Sequence, residues 1–204
     1  MANFAADLYV LITANVTPNH YCIWIEVTSA RHFEPDSLLT SATGSPCNYV
    51  EAHHPALYGL YSKQFGVQLT DQDPLELFSF VSRWLRVPYR YGGLSRRGVD
   101  CQGFVRIIYD SLFCYKLPAG AGSQFQVCET ISKDSLQAGD LIFFRIGTRH
   151  ISHVGIYLKD GWFAHATVRG VGVVMSRLDA PYYRRWFFKA GRVKLTPELA
   201  PALS

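Results

Sequence analysis

Four closely spaced β-like runs in the second half of the chain constrain its fold most. They cover residues 140–145, 152–158, 162–168 and 172–177, and apolar β-branched or aromatic residues recur in each. The connections between them are short, whereas parallel strands need a long crossover. The sequence therefore predicts an antiparallel sheet built from a strand meander.

A first helix is predicted well ahead of this sheet. Asp73 is placed as its N-cap, Pro74 at the first helical position, and Glu76 completes a capping box. Pro88 disfavours helical geometry in the residue before it, so the helix should end near Arg86.

A second helix is predicted to begin at Cys101 and to close before Pro118. Its apolar residues repeat at helical spacing on one face, at Phe104, Val105, Ile108 and Leu112. Cys114 falls near the end of this segment, and we expect it to be a structural cysteine rather than a reactive one. Two helices followed by a strand meander indicate the α+β class.

The first seventy residues read as a separate, β-rich extension. Runs at 8–16 and 21–28 are β-prone and are joined by a short turn, which predicts a hairpin. Residues 30–49 are predicted to be loop, and residues 52–65 a short helix or irregular. A lone hairpin is marginal in water, so we expect residues 1–70 to dock on a core formed by residues 71–204.

Composition narrows the possible functions. The chain has 204 residues and a net charge of +4, which is compatible with an acidic polymer as substrate but is common without one. No apolar run is long enough to span a membrane, and no basic tract interleaved with aromatics indicates nucleic-acid binding.

The five cysteines form no CxxC pair, so no structural zinc site is predicted. No signal peptide is recognised, because Asp7 lies early and a basic n-region is lacking.

Cys101 is the first candidate for chemistry. The free amides and the positive dipole end at a helix start favour a thiolate, and the same amides could stabilise an oxyanion. His153 is the second candidate. It alternates along its run with an apolar set, Val154, Ile156 and Leu158, so it should point away from the core.

His165 is expected to join His153 on one face of the sheet. If residues 159–161 form a three-residue loop, Gly155 lies opposite His165 and leaves room for two imidazoles. A two-residue loop would place His165 on the other face. A nucleophile, a base and an orienting residue together satisfy the general logic of a catalytic triad.

Five motifs follow one another along the chain: PYRYGG at 88–93, GVDCQGFV at 98–105, LQAGDLIFF at 136–144, HVGIYL at 153–158 and FAHA at 163–166. Together they resemble the NlpC/P60 family of cell-wall cysteine peptidases. The tail PYYRR at 181–185 is similar to the Gram-negative, Spr-like murein endopeptidases. The resemblance covers residues 74–195 and leaves the extension unexplained.

The resemblance implies a papain-like α+β core without metal or organic cofactor. It implies a cysteine endopeptidase that acts on the stems or cross-links of peptidoglycan in the cell envelope or periplasm, and we expect a monomer. The family's nucleophile, base and third polar residue fall on Cys101, His153 and His165, and its motif tyrosine, which could hold the oxyanion or substrate, falls on Tyr89. Gln102 departs from the pattern, because the family usually has serine there.

Other readings stay open at this point. The same residues would serve an amidase or acyltransferase with another substrate, or a secreted cell-wall-degrading toxin. A catalytically dead binding module is disfavoured because the cysteine and histidine motifs are both intact. A zinc site of Cys101, His150 and His153 is disfavoured because residues an odd number apart on one strand face opposite ways.

Overall fold

The structure is a computed structural model that describes the backbone of residues 10–17, 20–27, 55–168 and 172–194, and side chains from residue 56 onward within these ranges. The helices are α1 (Pro55–Phe65), α2 (Leu75–Trp84), α3 (Cys101–Phe113), α4 (Ala121–Gln126) and α5 (Pro181–Trp186). The strands are β1 (Val10–Thr17), β2 (His20–Val27), β3 (Leu94–Ser95), β4 (Gly98–Val99), β5 (Cys128–Ile131), β6 (Leu141–Phe144), β7 (His153–Lys159), β8 (Trp162–Thr167), β9 (Gly172–Arg177) and β10 (Phe187–Val193).

A six-stranded antiparallel sheet organises the fold, with strand order β5-β10-β6-β7-β8-β9. The meander β6 to β9 is the one that the sequence predicts. β10 returns from the end of the described chain and pairs between β5 and β6. The α+β class is therefore confirmed, and the edge strand β5 and its neighbour β10 are additions to the prediction.

The start of α2 differs from the prediction. The N-cap position is Pro74, which makes no side-chain capping bond, and α2 ends at Trp84. Asp73 instead accepts a hydrogen bond from the backbone N–H of Thr70 and forms an ion pair with Lys159, at an N–O distance of 2.6 Å. The prediction of Asp73 as helix cap was wrong because the Asp73 carboxylate pairs instead with the ammonium group of Lys159, on the distant strand β7.

The predicted start of α3 at Cys101 is confirmed. The carboxylate of Asp100 caps the helix by accepting from the N–H of Gly103 at 2.7 Å, and also accepts from the N–H of Gly92 at 2.8 Å. A Cβ at Gly103 would lie 2.4 Å from the carbonyl oxygen of Gly93, so only glycine allows this close approach. Asp100 and these three glycines thus fix where the first turn of α3 lies.

The β7–β8 hairpin reaches the predicted register by a different route. Its turn has two residues, Asp160 and Gly161, both with positive φ, and not the three residues expected. A bulge at residue 158 absorbs the difference, so that Ile156 still pairs with Ala164. Gly155 consequently lies against His165, since a Cβ there would meet the His165 Cβ at 3.2 Å.

Alternation along these strands separates two apolar clusters. The larger lies between the sheet and helices α1 to α3, and includes Phe78 on α2, Phe104 on α3 and Ile156 on β7. The smaller covers the opposite face, where Phe144 and Phe163 are wholly buried beneath residues of α5. Both faces of the central strands are therefore shielded from water.

The predicted extension is described only in part. β1 and β2 form the expected antiparallel pair, and the predicted loop at 30–49 lies outside the described residues. Helix α1 settles the ambiguity for residues 55–65, and residues 52–54 lie outside the described residues. It packs by Phe65 edge-on against Phe78, at 5.5 Å between ring centroids, so this part of the segment contributes to the main core.

Cys114 stands one residue beyond the end of α3, in a left-handed conformation with φ 51°. It is exposed and disulfide-bonded, which agrees with the expected structural role, although it lies just beyond the helix and not on it. Among the described side chains, Cys101 and Cys128 carry free thiols. The side chains of Cys22 and Cys47 are outside the described part of the chain.

Candidate active site

The thiol of Cys101 lies at the first residue of α3, and the residue is 9% exposed. Burial raises its pKa, and the neighbouring Asp100 carboxylate adds to the rise. Hydrogen bonds from the backbone N–H groups of Val154, Gln102 and Cys101 itself lower the pKa in part. The helix start thus supplies the expected amides, but burial outweighs them, and the resting group is a thiol.

His153 is the first residue of β7, opposite Phe144 of β6. It precedes Val154, whose amide contacts the Cys101 thiol, so the imidazole and the sulfur lie at the same end of the sheet. His153 is also 9% exposed, and burial lowers its pKa to about 4. The imidazole is consequently neutral at pH 7 and able to accept a proton.

His165 lies behind His153 and is fully buried. Its Nδ1 is 2.9 Å from the Nε2 of His153, and the two rings meet edge to face. Burial, and then the neighbouring His153, lower the pKa of His165 well below its usual value. The structure therefore brings the two predicted histidines together on one face of the sheet.

Two hydroxyl groups complete the surroundings of His165. Its Nε2 is 3.0 Å from the Oγ of Ser176 on β9 and 3.1 Å from the Oη of Tyr183 on α5. Every ring nitrogen of this second histidine thus has a hydrogen-bonding partner, as a buried polar group requires.

Tyr89 lies beside the nucleophile. It forms an isolated bridge with Val99, just before α3, and is half-buried. The pKa of its hydroxyl is raised by burial first, then by Cys101 and Asp100. The raised pKa keeps the hydroxyl protonated, so that it can donate a hydrogen bond near the sulfur.

Gln102 and Gln124 lock the first turn of α3 to the segment before α4. The Oε1 of Gln102 accepts from the N–H of Gly120, and the Nε2 of Gln124 donates to the carbonyl oxygens of Gln102 and Pro118 at 3.1 and 3.2 Å. A serine at position 102 would be too short to reach Gly120. The departure at Gln102 therefore tethers a wall beside the nucleophile.

His150 does not join this group. It is exposed and lies in the loop before β7. Within residues 56–168 and 172–194, no three His, Cys, Asp or Glu side chains form a group that could hold a metal ion.

Sequence reasoning gave no role to Ser176 or Tyr183. Ser176 pairs with Phe163 and so lies diagonal to His165, which the short β8–β9 connection could have indicated. Tyr183 comes from α5, and no local signal shows that this helix crosses over the histidine face.

A cysteine at a helix start, beside a histidine pair on an adjoining antiparallel sheet, is the arrangement of papain-like cysteine hydrolases. Comparison with known proteins specifies the family: its sequence model matches residues 86–192, and the chain belongs to the NlpC/P60 family. No described helix is long and apolar enough to cross a membrane.

Two relatives illustrate the match. A probable endopeptidase of Haemophilus influenzae is 42% identical over 111 residues, which are 54% of this chain and 68% of the relative. The murein DD-endopeptidase MepS/murein LD-carboxypeptidase of Escherichia coli is 36% identical over 110 residues, covering 54% of this chain and 57% of that protein.

Solved structures agree on the fold. An NlpC/P60 family protein of Bacillus cereus superposes with a TM-score of 0.53 at 32% identity, over 57% of this chain and 39% of that one. The NlpC/P60 domain of the peptidoglycan hydrolase SagA gives a TM-score of 0.50 at 25% identity, over 57% of this chain and 96% of that one.

Proposed function

We propose that this protein is a cysteine endopeptidase that hydrolyses amide bonds in the peptide stems or cross-links of peptidoglycan. The observation that carries the proposal is the His153–His165 hydrogen bond of 2.9 Å, at the end of the sheet where the Cys101 thiol meets the amide of Val154. The substrate class follows from the relatives named as murein endopeptidases.

His153 serves as the general base. Because its Nε2 faces His165, its Nδ1 is left for the thiol of Cys101. The buried site favours neutral groups, so the S–H proton passes to Nδ1 as the sulfur attacks the carbonyl carbon. The C–S bond forms while the carbonyl oxygen takes up negative charge.

The developing oxyanion is stabilised by donors that are already in place. The backbone N–H groups of Cys101 and Gln102 at the start of α3 contact the sulfur, and the protonated hydroxyl of Tyr89 lies close enough to interact with it electrostatically. Donors that need no reorganisation are worth several kcal/mol in a water-poor site, and this one is nearly closed. The wall held by Gln102 limits which stem residues fit beside the nucleophile.

Collapse of the tetrahedral intermediate breaks the C–N bond, and His153 returns its proton to the leaving amine. Water then attacks the thioester and gives a proton to His153, which restores the thiol when the acid product leaves. His165 orients His153 through both steps. The chemistry consumes one water molecule and needs no redox partner.

The disulfide at Cys114 is compatible with a location in the cell envelope, since disulfides persist in oxidising compartments.

Digestion of purified muropeptides, followed by mass spectrometry of the products, tests the proposal. The full chain should cleave them, and Cys101→Ala should retain less than about a hundredth of that rate, because a triad nucleophile contributes far more. Cys128→Ala is the matched control, since it removes the other free thiol of the described residues, which is half-buried on β5. Equal cleavage by the two variants would refute the role of Cys101, and no cleavage by the full chain would refute the substrate class.

A further inference from the structure

The hydrogen bonds around His165 carry an inference that rests on the proposed function and goes beyond it. We propose that Ser176 and Tyr183 are positioning residues that hold His165 in one tautomer, with the proton on Nε2. They act through His165 on the base, and neither touches the nucleophile.

The contact between the two imidazoles determines how many hydrogens their facing nitrogens carry. Two ring nitrogens 2.9 Å apart share a single hydrogen, because two lone pairs or two N–H groups would repel. If Nδ1 of His153 is to receive the thiol proton, its Nε2 must carry the hydrogen, and Nδ1 of His165 must accept it. The neutral ring of His165 then bears its own hydrogen on Nε2.

That Nε2–H group is fully buried and needs an acceptor. Ser176 and Tyr183 present oxygen atoms at 3.0 and 3.1 Å, from two different elements of the fold. Without them, a buried N–H would lose its hydrogen bond, which is unfavourable in a site that water does not reach. His165 would then favour the other tautomer, whose Nδ1–H donates to His153.

The wrong tautomer disables the base. A hydrogen bond donated by His165 requires a lone pair on Nε2 of His153, so the hydrogen of His153 moves to Nδ1, the atom that should receive the thiol proton. The two hydroxyls also accept from His165 when positive charge spreads over the histidine pair during attack. Charge-assisted bonds of this kind are stronger than neutral ones.

Nitrogen-15 NMR of the full chain tests this directly, because ring nitrogens with and without hydrogen have well-separated shifts. We expect hydrogen on Nε2 of His165 in the unaltered protein. In the variant that combines Ser176→Ala with Tyr183→Phe, we expect the hydrogen on Nδ1. A wild-type spectrum with hydrogen on Nδ1, or a combined variant that keeps it on Nε2, would overturn the proposal.

Muropeptide kinetics provide the second readout. The combined variant should lower kcat about ten- to a hundredfold with little change in KM, because the substrate contacts remain. Ser176→Thr keeps a hydroxyl and should restore most of the rate in the presence of Tyr183→Phe. Tyr157→Phe is the matched control, since its hydroxyl lies on the same sheet face but binds the backbone N–H of Gly161.

Failure of the two proposals can be told apart. If the protein cleaves no muropeptide but carries the hydrogen on Nε2 of His165, the proposed tautomer stands and only the proposed substrate class fails. Should the combined variant not fold, the single variants Ser176→Ala and Tyr183→Phe replace it, because each keeps one acceptor for His165. We expect each to retain the hydrogen on Nε2 and to lower kcat about two- to tenfold. Unchanged kcat in both single variants would count against the role.

Discussion

The two faces of the central sheet are formed by alternate residues of the same strands, but they have different roles. Toward the helices, β7 presents Val154 and Ile156, which are fully buried and purely apolar. Toward α5, the alternating positions of β7 and β8 include His153 and His165, packed against the rings of Phe144 and Phe163. The helix face is mainly apolar and stabilises the fold, although the Cys101 thiol also lies in its cluster. The other face gives the histidines a water-poor setting that keeps them neutral.

This difference explains how a buried site remains chemically active. Aliphatic side chains on the helix face, such as Val154 and Ile156, have no groups that need a hydrogen bond. On the second face each imidazole nitrogen of His165 needs a partner, and the chain supplies them from β7, β9 and α5. Burial lowers the pKa of both histidines, so folding becomes less favourable as pH falls below about 6.5. At neutral pH the hydrogen bonds offset the cost of burying the uncharged rings.

The largest expected effect lies on the histidine face. His153→Ala should reduce kcat for muropeptides by about 10²–10⁴-fold, the usual contribution of a general base. His150→Ala is the matched control, because this exposed histidine lies three residues earlier and should leave the rate unchanged. Comparable losses in both variants would mean that His153 does not act as the base.

The helix face should show the opposite behaviour. Ile156→Ala removes a fully buried side chain from the main core and should cost about 2–5 kcal/mol of unfolding free energy. Denaturant unfolding measures this cost, and kcat per folded molecule should change little. A large fall in kcat with unchanged stability would contradict the division between the two faces.

Gly155 lies where the two histidines approach and gives a smaller effect. A Cβ there would lie 2.7 Å from the ring of Phe163 and 2.9 Å from the carbonyl oxygen of Ala164. Gly155→Ala should therefore destabilise the protein by about 1–3 kcal/mol and displace His165. Gly59→Ala, on the open surface of α1, should instead be neutral or stabilise by up to about 1 kcal/mol.

The sequence was sufficient for features set by local chemistry. Asp100 and Gly103 mark the start of α3, and strict alternation marks the meander, so Cys101 and His153 could be placed in advance. The register of His165 was predicted correctly from a wrong loop length, because a bulge at residue 158 offsets the shorter turn. Local patterns cannot reveal such compensation.

Features set by distant contacts could not be predicted. Lys159 takes the carboxylate of Asp73 from 86 residues away, which removes the expected helix cap. The outward face of β7 reads as exposed in sequence, but α5 covers it and brings Tyr183 to His165. Burial of Cys101 in the main core also reverses an expectation, because the pKa of its thiol is raised although a helix start by itself lowers it.

The pH dependence of kcat/KM for a soluble muropeptide tests the central claim most directly. The pKa of His153 is lowered to about 4, so the base is present above that pH and lost as pH falls through it. Circular dichroism at each pH serves as the control, because a buried neutral histidine makes folding less favourable as pH falls below about 6.5. The account predicts a nearly constant kcat/KM from pH 7 to about 5, with half lost near pH 4. An acid limb centred near 6.5, in protein that is still folded, would show that the base is an exposed, unshifted histidine and would contradict the account.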